Sequence, residues 1–279
     1  IVISVNRNKV LALDKMNTPI YGSMDWYSEF QTATIITVGQ PMGGFYGFET
    51  DGYFMDVDEI KNGPVQVDNG HGENRIDKTA GVWIGDIRFK DQDGDGKITD
   101  ADQKIIGNPN PDFTFGWSNT FHIWQFDLGL NFTGSVGGQI LNYTRVKTKG
   151  LTSLWDNQMS TITNRVQYGY KDGNAANQSA ENVYVCNNPT MPRWSTTDVN
   201  RNNRMSDRWL EDASYMRIAN ISLAYNFPSD LMKKGHMTAC KLYFNAQNVF
   251  TFTKYSGYDP EIGSYNQQAG MQNIDMGRY

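Results

Sequence analysis

The chain has 279 residues, of which 39% are hydrophobic, 13% aromatic and 20% charged, a composition typical of a folded protein and not of a disordered one. The formal net charge of -5, from 25 Lys and Arg against 30 Asp and Glu, argues against a basic surface for nucleic acid. No apolar run of about eighteen residues occurs, so membrane-spanning helices are excluded, whereas strands that face lipid only at alternate positions remain possible.

The first quarter of the chain predicts strands separated by loops. In Ile1–Asn6, Ile1, Ile3 and Val5 alternate with Val2, Ser4 and Asn6, which predicts a strand. Thr34–Phe54 predicts a strand that is interrupted at Gly39–Gly44. We assign both strands to a barrel wall, in which glycine-containing kinks allow bending. Val57–Asn62 predicts one helical turn, and the polar, glycine-rich segment Gly63–Gly81 predicts a solvent-exposed loop.

The segment from position 91 to position 102 has the pattern of a calcium-binding loop. Asp91, Asp93, Asp95 and Asp102 provide carboxylates at its first, third, fifth and twelfth positions. Gly96 lies at the sixth position. The backbone carbonyl of Lys97 adds an oxygen at the seventh position, and a hard cation such as Ca²⁺ requires six or more oxygen ligands. Aspartate in place of the usual twelfth-position glutamate is dockerin-like and must approach the ion more closely. The alternative is a solvated Asp- and Gly-rich turn, which uses the same residue types.

The sequence around this loop predicts a strand before it and a short helix after it. Ile87 and Phe89 alternate with charged residues, which is strand periodicity. Asp100–Ile106 predicts a short helix that ends at Gly107. Ile98, inside the loop, is expected to point into a core. We therefore expect a structural calcium site between a strand and a helical turn.

Two long hairpins have the clearest strand pattern in the chain. Phe113–Phe121 and Phe126–Thr133, joined by a turn near His122–Gln125, each place aromatic residues and Leu on one face and small or polar residues on the other. Each arm is close to the roughly 9–11 residues that cross a bilayer and longer than the usual strand of about 5–6 residues. The fold class predicted is therefore all-β, a transmembrane antiparallel β-barrel with lipid outside and a wet lumen inside.

The second hairpin repeats this arrangement nearer the end of the chain. Its first arm is predicted to present Ala219, Ile221, Leu223, Tyr225 and Phe227 on one face, and Leu242–Gln247 alternates in the second arm. Gly138–Tyr143 is predicted to continue the wall, and Gln267–Tyr279 predicts no closing strand.

Long polar segments separate the hairpins. Ser153–Tyr168 predicts a short amphipathic helix, and Gly169–Arg204, rich in Asn, Ser and Thr, predicts a long loop without regular structure. Loops of this length are uncommon in compact soluble domains but are expected on the extracellular side of outer-membrane barrels.

No catalytic constellation is found in the sequence. The three histidines, His71, His122 and His236, lack the spacing of a metal site or a triad, and the acidic residues outside the calcium loop belong to no catalytic motif. Cys186 and Cys240 lie in no CxxC pair, which leaves either one disulfide or two separate thiols. The chain is therefore not expected to be an enzyme.

Four stretches, in order along the chain, resemble one family closely. They are VGQPMGGFYGFETDGYF at Val38–Phe54, GDIRFKDQDGDGKITDADQKIIGNPNPDFTFGWSNTF at Gly85–Phe121, RWLEDASYMRIANISLAYNFP at Arg208–Pro228, and LYFNAQNVFTFTKYSGYDPE at Leu242–Glu261. Together they resemble the C-terminal part of SusC/RagA-type TonB-linked outer-membrane proteins, and the resemblance spans nearly the whole chain.

The resemblance implies a plugged barrel of about twenty-two strands in the outer membrane of Bacteroidetes-type bacteria. It implies import of oligosaccharides or peptides, with a SusD-like surface lipoprotein as partner and with TonB supplying energy. Residues 1–279 then form a C-terminal part of the barrel, surrounded by lipid, with the calcium-binding loop at 91–102 and without the plug domain. Strand neighbours are expected from sequence beyond both ends.

Substrate-binding residues are not assigned by the resemblance. Four loop aromatics, Trp26, Tyr27, Trp155 and Trp194, either stack on sugars or pack against the protein. An alternative from another class is a soluble secreted calcium-binding carbohydrate-binding module or a glycan hydrolase. The module requires a second calcium repeat or a compact sandwich, and the hydrolase requires positioned carboxylates; neither pattern is found.

Overall fold

The computed structural model describes residues 1–24, 30, 32–261 and 273–275. The strands within these ranges are β1 (Val2–Ser4), β2 (Ile20–Gly22), β3 (Thr34–Ile36), β4 (Gly44–Gly47), β5 (Thr50–Tyr53), β6 (Ile87–Phe89), β7 (Lys104–Gly107), β8 (Phe113–Ile123), β9 (Phe126–Val136), β10 (Gln139–Asn142), β11 (Tyr168–Tyr170), β12 (Val183–Val185), β13 (Leu210–Asp212), β14 (Tyr215–Asn226), β15 (Lys241–Thr253) and β16 (Ile274–Asp275). The α-helices are α1 (Val57–Asn62), α2 (Tyr143–Lys149) and α3 (Ser229–Lys234), and 3-10 helices cover Asp100–Asp102, Ser160–Asn164 and Asp207–Trp209.

The helices are short. In the part of the chain that the structure describes, none of them has the length and apolarity needed to cross a membrane.

The described residues divide into two compact units. The sheet unit comprises residues 1–8, 109–140 and 211–261, and the loop unit comprises the described residues among 9–108, 141–210 and 273–275. The predominance of strands over short helices confirms that the fold class is all-β.

The sheet unit is built on one antiparallel sheet with the strand order β1-β8-β9-β14-β15. The first predicted hairpin is confirmed, with Phe113 paired to Val136 at one end and Ile123 paired to Phe126 at the other. Only two residues join its arms, and Trp124 in this turn has a left-handed backbone with φ of 54°. The second hairpin is also confirmed, because β14 pairs with β15.

A bulge in β14 changes one prediction about its faces. Ile218 is registered with Phe132 of β9, whereas Ile221 is registered with Leu130, so three steps along β14 match two steps along β9. Because directly opposed residues in an antiparallel pair point to the same face, Ile218 and Ile221 share the apolar face. The sequence pattern did not predict Ile218 on this face, and it placed there Ala219, which is the extra residue of the bulge and has no paired residue on β9.

The strands of the loop unit belong to sheets of their own. Thr34–Phe54 does form strands on both sides of its glycines, but β3 and β4 lie in a four-stranded sheet with the order β2-β3-β4-β7, and β5 pairs with β6. The segment thus lies outside the five-stranded sheet, and its assignment to a barrel wall is wrong. All three residues of β3 are buried, as is Phe45 of β4, which is typical of a strand inside a core and not of a wall strand with one exposed face.

Three clusters of buried apolar side chains form the core of the loop unit. One surrounds Trp209 and Phe45, a second surrounds Phe54 and Ile84, and a third joins Phe48, Ile87, Phe89 and Ile98. The burial of Ile98 in the third cluster confirms the prediction that this residue of the calcium loop points into a core. Helix α1 is confirmed as well, and the Asp56 side chain caps it by accepting the Asp58 and Glu59 N–H groups at 3.0 Å.

Three predictions between positions 138 and 204 are wrong. Gly138–Tyr143 does not extend the long sheet, because β10 pairs in parallel with β16. The helix predicted for Ser153–Tyr168 is absent from this described segment apart from one 3-10 turn, since its apolar residue Leu154 and its neighbour Trp155 lie exposed and bury no common face. Gly169–Arg204 does contain regular structure, because β11 and β12 pair next to Val166 and other buried residues.

Most of the predicted irregular stretch Gln267–Tyr279 lies outside the described residues.

Candidate metal centre

Three of the predicted calcium ligands come together in the loop unit. One carboxylate oxygen from each of Asp91, Asp93 and Asp95 lies within 4.8 Å of the others. Asp93 and Asp95 are exposed and Asp91 is partly buried. Like-charged carboxylates repel one another at such distances, and a bound cation removes this repulsion. The donor set of carboxylate oxygens is the one that a hard cation prefers, so these residues fit Ca²⁺.

Backbone N–H groups orient the three carboxylates. Asp91 accepts the N–H groups of Gly94 at 2.6 Å and Gly96 at 2.9 Å, and these bonds, that of Gly96 above all, hold the pKa of Asp91 below its usual range. Asp93 accepts the N–H of Asp95 at 3.1 Å, and Asp95 accepts that of Lys97 at 2.7 Å. The loop therefore curls around its own acidic side chains.

The two glycines of the loop are needed for this path. Gly94 and Gly96 have φ angles of 79° and 83°, in the left-handed region that side chains with a Cβ rarely adopt. The sharp turns at these positions bring the N–H groups of both glycines onto Asp91. The sixth-position glycine of the sequence pattern thus has a geometric role.

Asp102 has a different position from the other three acids. It is fully buried and lies outside the group of oxygens formed by Asp91, Asp93 and Asp95. Its two oxygens accept the N–H groups of Gln92 and Thr99, both at 2.7 Å. Asp102 therefore joins the beginning of the loop to its end. Each carboxylate oxygen keeps a further lone pair for a cation.

A segment that the sequence did not single out holds the loop from outside. Val65 donates its N–H to the Gly96 carbonyl at 2.9 Å, and its own carbonyl accepts the Ile98 N–H at 2.8 Å. These two bonds enclose Lys97, whose carbonyl is a predicted ligand. Val65 belongs to the segment predicted to be a solvated loop, yet it is buried, and no local sequence signal marks it because the contact spans about thirty residues.

The neighbouring Gln66 supports the strand that leads into the loop. This buried side chain accepts the Phe89 N–H at 3.0 Å and also reaches the Phe89 carbonyl at 3.5 Å. It thereby pairs with β6 as a neighbouring strand would, so the prediction that all of Gly63–Gly81 is solvent-exposed is wrong at this point. His71 and Glu73, farther along the same segment, are exposed as expected.

The elements around the loop match the prediction on one side only. Strand β6 precedes it as expected, but the helix predicted for Asp100–Ile106 is limited to one 3-10 turn, capped by Thr99 through the Ala101 N–H at 3.2 Å. The chain then continues as β7, which pairs with β4. A partner strand thus overrides the local preference for helix.

The remaining sequence-predicted residues are four loop aromatics and two cysteines. Trp155 is 93% exposed and Trp194 is 45% exposed, while Trp26 and Tyr27 lie outside the described residues. Both cysteines are free thiols, which settles the alternatives left open for them.

Comparison with protein families and curated proteins gives a consistent result. No family model matches the chain. TonB-dependent receptor P3 of Formosa agariphila is 32% identical over 98% of this chain, and TonB-dependent receptor SusC of Bacteroides thetaiotaomicron is 26% identical over 63% of it. The alignments cover 24% and 15% of these relatives, so the chain spans at most about a quarter of their length.

Solved structures share the fold. The RagAB peptide transporter matches 98% of this chain and 24% of the compared chain, with a TM-score of 0.60 and 20% identity. The RagAB peptide importer in its 'open-open' state matches the same shares with a TM-score of 0.57 and 21% identity.

Proposed function

Because the chain belongs to the SusC/RagA family of TonB-dependent receptors, we propose that it works as part of an outer-membrane importer of oligosaccharides or peptides. The observation that carries this proposal is the similarity to TonB-dependent receptor P3, which extends over 98% of the chain. The five-stranded antiparallel sheet supports it, since an importer barrel is built from long strands of this kind.

The proposal includes two partners and excludes catalysis. A SusD-like lipoprotein covers the substrate at the cell surface, and TonB supplies energy through parts of the receptor outside residues 1–279. An importer binds, gates and conducts its substrate, and these tasks require no catalytic group. The alternative of a soluble carbohydrate-binding module or glycan hydrolase is set aside because the curated relatives are receptors.

Deletion of the gene tests the proposal directly. Uptake of one oligosaccharide or peptide class should be lost, while extracellular breakdown of the parent polymer continues at its original rate. Complementation with the intact gene is the control. Loss of breakdown with continued uptake of ready-made fragments would support the hydrolase alternative instead.

We also propose that the loop at 91–102 binds one structural Ca²⁺ ion. The proposed ligands are the carboxylates of Asp91, Asp93, Asp95 and Asp102 and the carbonyl of Lys97. Support comes from the sequence pattern together with the three carboxylate oxygens that lie within 4.8 Å of one another. The ion compensates their negative charges and fixes the loop against Val65.

Terbium luminescence of the intact receptor tests the metal site. Asp93→Ala should abolish one site that calcium competes for. Asp172→Ala is the matched control, because Asp172 also accepts an N–H two residues further on, from Asn174 at 2.8 Å, but lies in an ordinary turn. Equal terbium binding by both variants would contradict the proposal.

A further inference from the structure

A groove of about 720 Å³ lies in the loop unit, beside β11. Among its lining side chains are three cationic and three aromatic ones: Lys78, Arg165, Arg193, Tyr168, Tyr170 and Trp194. Its volume falls in the usual range of roughly 300–1,000 Å³ for small-ligand sites.

Hydrogen bonds within the protein hold parts of the groove wall in place. The Tyr168 hydroxyl donates to the Ile84 carbonyl at 2.9 Å, which fixes its ring. The Arg193 guanidinium donates to the Lys78 carbonyl at 2.9 Å, which fixes the backbone beneath the Lys78 side chain. The Lys78 ammonium lies 6.0 Å from the centre of the Tyr168 ring. The Tyr168 ring and the backbone at Lys78 are therefore fixed by the protein itself, without a ligand.

The groove has a positive charge that the protein does not neutralise. Arg193 is paired with the buried Asp86 at 2.6 Å, so this pair contributes no net charge. Lys78 and Arg165 are exposed, and neither forms an ion pair with any residue that the structure describes. No Asp or Glu is among the described residues that line the groove. The Lys78 ammonium donates to the neutral Gln178 side chain at 3.3 Å and keeps further N–H donors, so an anionic ligand finds two cations here that have no carboxylate partner.

The aromatic side chains favour a ring-shaped ligand. The Trp194 indole is 45% exposed and offers a flat apolar face, and Tyr170 also lines the groove. Aromatic faces of this kind pack well against the apolar face of a sugar ring. Cations beside such faces then meet the acidic substituents of the same sugar.

The backbone of the groove argues against a peptide ligand. Its N–H groups at Arg165, Val166 and Arg193 donate to the carbonyls of other loop-unit residues, and that of Gln167 donates to Asn187 at 2.9 Å. A peptide added as an extra strand requires free main-chain groups, which these positions do not supply. Recognition is left to side chains.

From these observations we propose that the groove binds an acidic oligosaccharide, with Trp194 and Tyr170 against sugar rings and with Lys78 and Arg165 on carboxylate or sulfate groups. This inference rests on the proposed import function and narrows its substrate class. The sequence left open whether Trp194 stacks on sugars or packs against the protein. The proposal assigns Trp194 to ligand binding.

Calorimetry on the intact receptor tests the groove. The probes are a galacturonic acid tetrasaccharide, a heparin-derived sulfated tetrasaccharide, maltotetraose as the neutral oligosaccharide, and tetraglutamate as the acidic peptide. At least one acidic tetrasaccharide should bind, and more tightly than maltotetraose or tetraglutamate. Arg165→Gln and Trp194→Ala should each weaken that binding about ten-fold or more, because they remove a charge-assisted contact and a stacking surface. Added salt should weaken the wild type more than Arg165→Gln.

Two matched controls keep the result specific. Lys171→Gln removes an exposed positive charge outside the groove, and Trp155→Ala removes an exposed indole outside it; both should leave the affinity unchanged. The proposal is overturned if neither acidic tetrasaccharide binds, if tetraglutamate or maltotetraose binds as tightly, or if the groove variants behave like the controls. In each of these cases, loss of uptake on gene deletion would still support the proposed import function.

Discussion

The two units of this protein place their apolar side chains in opposite ways. In the described residues of the long strands β8, β9, β14 and β15, Ala224 is the one buried hydrophobic side chain, whereas large residues such as Trp117, Phe244 and Phe250 are exposed. In the loop unit, Trp209 and Phe89 are fully buried. The sheet unit therefore has an apolar surface and the loop unit has an apolar core.

The two units also satisfy the hydrogen bonds of their polar groups in different ways. The sheet unit satisfies its backbone through ladders such as the one between β8 and β9. The loop unit instead buries polar side chains: Asp86 accepts bonds from Arg193 at 2.6 Å, Asn202 at 2.9 Å and the Trp83 N–H at 2.8 Å. The difference teaches that the two units are stabilised in different ways: the sheet unit pairs its backbone in ladders and leaves apolar faces exposed, as the proposed contact with lipid requires, whereas the irregular backbone of the loop unit requires side-chain partners.

Breaking the buried network of the loop unit should have the largest effect. Asp86→Ala leaves the Arg193 guanidinium buried without its carboxylate, which typically costs about 3–5 kcal/mol. We expect the urea midpoint for protease cleavage within the loop unit to fall strongly. Asp51→Ala is the control, because Asp51 is 61% exposed and its pair with Arg88 is worth about 0–1 kcal/mol. Similar losses for both variants would argue against a structural role for the buried pair.

An arginine introduced on each face of the long sheet in turn should distinguish the face toward lipid from the face toward the lumen. Leu130 and Asn131 are neighbours on β9 that point to opposite faces. Leu130→Arg should destabilise the receptor by about 2–4 kcal/mol in lipid vesicles, because arginine is costly against hydrocarbon, and Asn131→Arg should cost less than about 1 kcal/mol. Urea titration of refolding into vesicles measures both. A greater cost for Asn131→Arg would reverse the assignment of the faces.

Removal of calcium should weaken the loop unit alone. At free calcium one hundred times the dissociation constant, binding stabilises the state that binds it by about 2.7 kcal/mol. Chelation should therefore raise amide exchange in residues 91–102 and at Val65, whose backbone pairs with the loop. The β8–β9 hairpin serves as the internal control and should keep its protection. Unchanged exchange in the loop after chelation would contradict a structural ion.

The smallest effect concerns pH in one exposed turn of the loop unit. The N–H groups of Thr79 and Ala80 lower the pKa of Asp77 to about 2. Since the unfolded value is about 3.9, the stabilising contribution of Asp77 is complete above that pH and is lost as the pH falls through about 2.

Amide exchange of the turn, compared between wild type and Asp77→Asn, measures this contribution. The two proteins should differ at pH 6 and converge near pH 2. Glu73→Gln, an exposed change in the same segment, is the control and should show no such convergence. A difference for Asp77→Asn that stays constant down to pH 2 would show that the carboxylate is not the cause.

The sequence by itself determined the features that depend on local spacing. Alternation with a period of two located both long hairpins, because each strand residue points to the face opposite its neighbour. The twelve-residue pattern located the loop in which Asp91, Asp93 and Asp95 converge, because a turn within a few residues needs no distant partner.

Only the tertiary structure decided the features that depend on distant partners. The Asp86–Arg193 pair joins residues 107 positions apart, and Val65 reaches the calcium loop across about thirty residues, so no local pattern records either contact. Strand β7 replaced a predicted helix because β4 was available as a partner. The bulge at Ala219 likewise appears only in the register between β14 and β9. Pairing and packing between strands decide which residue occupies a face, and the spacing along one strand does not record them.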